Sequence, residues 1–162
     1  MRLVFQLVLY CLLFLLLVKL AVRDSGRNCL YFYPKDYLAE AERRGIANQA
    51  AVMKEAPRFM VPFCIVIFAA PVFVIAFWNH VTDFWTAYWQ SIFFLVGMNW
   101  FDGIVLDRIW VAHSKVWKID EMEGVPYIKP WKTVLFKRGL GTVLYLVLAF
   151  ALAGLTVLLG KL

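Results

Sequence analysis

The chain has 162 residues, 63% of them hydrophobic and 17% charged, and its mean hydropathy is +0.72. Soluble domains average about 45–50% apolar and about 25% charged residues, so the composition excludes a soluble globule. A membrane-crossing helix takes about 20 apolar residues, so roughly four crossings and their connections occupy the sequence as one integral membrane domain, 1–162, with no separate catalytic domain.

The first apolar run, Leu3 to Val22, is interrupted only by Gln6 and by Lys19 near its end. It exceeds the 7–15 residues of a signal-peptide core and has no small-x-small cleavage site after it, so it reads as a retained helix. In the following segment, 23–58, Pro34-Lys35-Asp36 reads as an entry turn. Asp36 is the expected N-cap of an amphipathic helix near 37–54, with Glu40 and Glu42 early, Lys54 late and Pro57 as its stop. Its apolar face is weak, which fits a solvated connector or a helix at the headgroup boundary. The second run, 59–78, contains Pro62 and Pro71, which a helix in lipid tolerates with a kink. The third covers about 84–106 and the fourth about 134–159, with a loop over 107–133. The expected fold is all-α, a four-helix transmembrane bundle.

Basic residues set the expected orientation. The segment after the first run holds Arg23, Arg27, Lys35, Arg43, Arg44, Lys54 and Arg58, whereas 79–83 holds none. Between the third and fourth runs, and into the first turns of the fourth, lie Arg108, Lys115, Lys118, Lys129, Lys132, Lys137 and Arg138. Both long loops are therefore expected in the cytoplasm and both termini outside. The same bias explains the net charge of +6 without a nucleic-acid partner, for which no basic-aromatic motif of the RNA-binding type is present. Trp78, Trp85 and Tyr88 are expected at the outer boundary, and Tyr31, Tyr33, Trp110, Trp117, Tyr127 and Trp131 at the inner one. Cys11, Cys29 and Cys64 form no C-x-x-C pair, so they read as reduced structural thiols rather than a redox or zinc site.

Candidate chemistry concentrates between Asn99 and Lys115. Asp102 lies five residues before Asp107, roughly 7 Å inside the end of the third run, and an acid at that depth needs a partner or a purpose. At 100° per residue Asn99, Asp102 and His113 share one stripe, while Gly103, Asp107 and Ser114 share another. Together they outline a polar pocket at the cytoplasmic end of the third span, with Asn99, Asp102, His113 and Ser114 as ligand-binding candidates and Glu121 and Glu123 as further acids. Asp102 and Asp107 are the candidates for holding a divalent cation, the one cofactor considered, and with His113 they are the candidates for proton transfer. A purely structural reading stands beside this: a Lys19–Asp102 ion pair between helices, and an interfacial pair of Asp107 with Arg108. His80 and His113 fall on opposite sides of the membrane, against a shared haem.

Asn28-Cys29-Leu30-Tyr31-Phe32-Tyr33-Pro34-Lys35 and Trp110-Val111-Ala112-His113-Ser114-Lys115-Val116-Trp117, with Tyr127 following, resemble segments of a set of small, uncharacterised four-span bacterial integral membrane proteins. The resemblance covers most of the chain and implies the bacterial cytoplasmic membrane, with no activity attached. Asp102-Gly103 and Asp107-Arg108 are similar to a fragment of the CDP-alcohol phosphotransferase pattern, whose Ala-Arg spacing and later acids are missing here. Small glutathione-using membrane enzymes share the four-span size, but their Arg and Asn signature has no counterpart in Glu42 to Gln49. Three classes of function follow. The first is a binding or accessory protein whose partners are lipids, other membrane proteins or a second copy. The second is an enzyme acting on a lipid or isoprenoid headgroup at the cytoplasmic face, and the third is an oligomeric transporter.

Overall fold

The computed structural model describes residues 1–23 and 25–160, and these form helices without strands. In chain order they are α1 (Arg2–Val22), a 3-10 segment (Gly26–Phe32), α2 (Lys35–Arg43), α3 (Gln49–Phe73) with a π-helical end (Val74–Trp78), and α4 (Phe84–Phe101). A π-helical stretch (Asp102–Trp110) and a last turn, α5 (Val111–His113), continue α4, and two short 3-10 turns lead to α6 (Trp131–Leu159).

Three helices are long and apolar enough to cross a membrane: Arg2–Val22, Gln49–Trp78 and Trp131–Leu159. Their outer faces carry bare Leu20, Ile65, Leu140, Val143, Val147 and Leu158, each more than half exposed, an apolar surface far beyond what a water-soluble monomer presents. The α4 helix is different. Gln90, Ser91 and Asn99 dilute its hydropathy, yet Ser91, Phe94, Leu95, Met98 and Asn99 are buried, because α1 and above all α6 pack over it. Ala149, Ala153 and Thr156 are fully covered on α6, and these small side chains let the two backbones approach.

The helix expected over 37–54 is two helices. Gly45 takes φ +70 just past the end of α2, and the Gly45 and Ile46 amides close onto the Glu42 and Ala41 carbonyls, a glycine-terminated stop. Asn48 then opens α3 by accepting from the Ala51 amide at 2.9 Å. The helix runs through Pro57 instead of ending there. Pro34, not Asp36, occupies the N-cap position of α2. With Pro57, Pro62 and Pro71 inside it, α3 buries no residue from 57 to 66, so its middle stands off from the other helices.

The two long connections pack on each other at one end of the bundle. Tyr33 stacks on Tyr37 at 4.7 Å and meets Trp117 at 5.8 Å, its hydroxyl donates to the Trp117 carbonyl at 2.8 Å, and Arg27 pairs with Glu121 at 2.9 Å. Tyr33 and Trp117 are thus buried layer residues rather than boundary anchors. The 79–83 turn lies at the other end, where the Arg2 guanidinium donates to the Trp78 carbonyl and Gly160 abuts Val81.

Candidate functional site

A largely covered cluster of charges joins the π-helical extension of α4 to α6. Arg138 of α6 reaches Asp102 at 2.5 Å and Asp107 at 2.7 Å, and Lys129, just before α6, holds the other Asp107 oxygen at 2.7 Å. Two carboxylates thus face two cations, and all four side chains are at least three-quarters covered. In an α-helix residues five apart point about 140° away from each other. Asp102 and Asp107 nevertheless meet one guanidinium, because the intervening backbone is π-helical and i→i+5 hydrogen bonding brings residues five apart to nearly one turn. Gly103 lies where the arginine crosses, and a Cβ there would come within 2.8–3.0 Å of the Arg138 stem. Asn99 completes the anchor: its amide donates to the Arg138 carbonyl at 2.8 Å and to Thr142 at 3.2 Å.

This geometry corrects several expectations. Lys19 is exposed and Asp102 takes Arg138 instead, since α6 and not α1 is the main neighbour of α4. Asp107 likewise pairs with Lys129 and Arg138 rather than Arg108. Arg108 donates to the Lys129 carbonyl at 2.8 Å and lies over the Trp131 ring at 4.6 Å. His113 leaves the stripe of Asn99 and Asp102: wide π turns rotate it away, it is exposed, and its Nδ1 lies 2.8 Å from the Ile109 carbonyl. Ser114 caps the Lys115–Trp117 turn by accepting from the Val116 amide. Glu121 and Glu123 pair with Arg27 and Lys118 and do not join the junction. Of the sequence candidates, Asn99, Asp102 and Asp107 come together; Arg138 and Lys129 were counted only as loop charge. Arg138 could have been found from its helical face, because buried Val134 precedes it by four residues and half-buried Thr142 follows it by four.

Beside the junction lies a cavity of about 270 Å³. It exists where the proline-bearing middle of α3 stands off, and its walls are Phe14 and Val18 of α1, Met60, Phe63, Ile67 and Phe68 of α3, and Met98 of α4. Trp117 and Tyr127 close it from the connector layer, exposed Cys64 stands at its rim, and Asp102, Asp107, Lys129, Arg138 and Tyr145 form its polar end. The volume is nearly twice the roughly 150 Å³ of an engineered apolar cavity that takes up benzene, and just under the roughly 300–1,000 Å³ of small-molecule pockets. In the connector layer burial pushes the Tyr37 phenol up to about 12 and raises the Tyr33 phenol and the Cys29 thiol, so these groups stay neutral around the cavity's lid.

Among the described residues no group of three or more His, Cys, Asp or Glu is placed to hold a metal ion; a cation bound by Asp102 and Asp107 would have to compete with Arg138 and Lys129. No protein-family model, curated protein or solved structure matches the chain.

Proposed function

We propose that the chain is a four-span membrane protein of the bacterial cytoplasmic membrane that binds a single-chain amphiphile in the cavity beneath α3. In this reading α4 with its π extension is the remaining crossing, the basic connectors face the cytoplasm and both termini lie outside, as the distribution of Lys and Arg favours. The observation that carries it is the cavity itself, with aromatic and aliphatic walls ending on Asp102, Asp107, Lys129 and Arg138. Apolar surface takes a hydrocarbon chain, and a small cluster of polar groups at one end fixes a head. The carboxylates act here as anchors for Arg138: each accepts from a guanidinium nitrogen. The alternative, an enzyme working on a lipid or isoprenoid headgroup, would use His113 as proton carrier, and that imidazole is turned toward Ile109. Transport would require an oligomer.

The test is native mass spectrometry of the protein purified in mild detergent. A hydrophobic adduct is expected on the parent protein and lost in Cys64→Trp, which plugs the rim from an exposed position. An adduct-free parent protein that also fails to take up added long-chain alcohols, acids or amines would sink the proposal.

A further inference from the structure

A second concavity lies between the end of α1 and the first half of α3. It encloses about 610 Å³ of open space. Among the described residues Arg23, Arg27 and Arg58 line it with one carboxylate, Glu55, and Leu17, Leu20 and Phe59 form its apolar wall. The order along α1 is informative: Leu17 and Leu20 lie on the apolar helix, and the arginines begin where that helix ends. Arg23 has φ 52, a left-handed conformation that glycine takes without strain, so what arginine contributes at this turn is its guanidinium. Tyr31 and Phe59 form the floor, with ring centroids 6.3 Å apart. Among the described residues, the pairs of Arg27 and Arg58 leave them donors to spare. Arg27 gives one nitrogen to Glu121, and Arg58 stands 3.6 Å from Glu55 with 84% of its side chain exposed.

We propose that this groove is a binding site for an anionic phospholipid, with the phosphate held by Arg23 and Arg58 and an acyl chain lying along Leu17 and Leu20. Guanidinium forks match phosphate oxygens in pairs, and basic pockets between helices on the positively charged side of membrane proteins hold anionic headgroups. A soluble anion would use the rim alone, whereas the leucine wall adds value only for a ligand that carries a chain. The site rests on the membrane reading and is independent of what fills the α3 cavity.

The experiment is native mass spectrometry of the detergent-purified protein with phosphatidylglycerol and phosphatidylcholine of identical acyl chains. Phosphatidylglycerol is expected to dominate the adducts, and Arg23→Gln with Arg58→Gln to weaken its retention roughly 30-fold, at about a factor of five per charge near a surface. Lys118→Gln with Lys132→Gln, which removes the same charge from exposed positions elsewhere, is expected to leave retention unchanged. Glu55→Gln, an exposed substitution with little bearing on folding, is expected to strengthen it. Equal retention of the two lipids, an equal loss in the lysine pair, no gain in Glu55→Gln, or full displacement by millimolar inorganic phosphate each overturns the proposal, the last by showing a site for the anion only.

Discussion

The two ends of the bundle solve the same problem with different chemistry. At the turn end Gln6 of α1, Asn79 and Gln90 of α4 exchange neutral hydrogen bonds of 2.7 to 3.2 Å, and Gln6 is almost fully covered. At the connector end Asp102, Asp107, Lys129 and Arg138 do the joining with full charges. Amides that satisfy one another cost little to bury and hold helices in register. Ion pairs carry a desolvation penalty that their attraction roughly cancels, so burying four charges is a poor way to gain stability alone. Only the charged end adjoins the apolar cavity. The contrast sets a neutral joint at one end against a charged wall beside a cavity at the other.

The comparison breaks most visibly at Arg138. Replacing it with Met leaves Asp102 without a partner and Asp107 with Lys129 alone, and a loss of about 3–5 kcal/mol is expected in thermal or chemical unfolding. Adding Asp102→Asn to that variant is expected to recover most of the loss, since the neutral amide needs no counter-charge and Asp107 keeps Lys129. If the double variant stays as unstable as the single one, the junction is not an electrostatic unit.

The connector layer offers the next effect. A Cβ on Gly26 would stand 1.9 Å from the Tyr33 hydroxyl, so Gly26→Ala must displace Tyr33 and its bond to Trp117, at about 1–3 kcal/mol. Tyr33→Phe in the same chain shortens the obstructing group and is expected to return part of that loss in a melting experiment. At the turn end, Gln6→Leu removes one partner of the amide network and leaves Asn79 short of a bond, a loss of about 1–2 kcal/mol. Its effect on ligand adducts is expected to be nil, which separates the joint from the wall.

The smallest effects distinguish the ends by pH. Tyr37 is neutral and buried, its phenol raised from the ordinary 10 to about 12, so its contribution is complete below pH 10 and is lost as pH rises from 10 to 12. Tryptophan fluorescence of the connector layer is expected to change in that alkaline window, and less so in Tyr37→Phe. Asp83 caps α4 by accepting from the Thr86 amide at 2.8 Å, and this bond holds its carboxyl below the ordinary 3.8. Its contribution is present above that value and fades as pH falls below it. Asp83→Asn keeps a capping oxygen and is expected to flatten the acid limb of the stability curve.

Helix content and the positions of the four apolar runs were legible because hydropathy is a property of composition over many residues. The α4 run is a helix although Gln90, Ser91 and Asn99 hold its hydropathy below that of the three membrane-capable helices; its shelter lies in α6, far away in sequence. Asp102 was recognised as an acid needing a partner, and Asn99 and Asp107 as its companions. The partner itself was missed because Arg138 sits more than thirty residues on, within a cluster that looked like ordinary loop charge. The two-stripe reading of Asp102 and Asp107 failed for one physical reason: it assumed α-helical winding where the backbone is π-helical. The single helix expected over 37–54 passes over the break between α2 and α3, although Gly45 and Asn48 carry local conformational and capping preferences for it.

Cys64 tests the central assignment most directly, since it is exposed at the cavity rim while Cys11 and Cys29 are buried. The rate at which a maleimide labels Cys64 is measured in detergent with rising concentrations of a long-chain alcohol, and in parallel for Val143→Cys on a Cys64→Ser background, which reports the exposed apolar surface of α6. Occupation of the cavity predicts saturable protection of Cys64 with no protection at position 143. Equal slowing at both positions, or none at either, would contradict it.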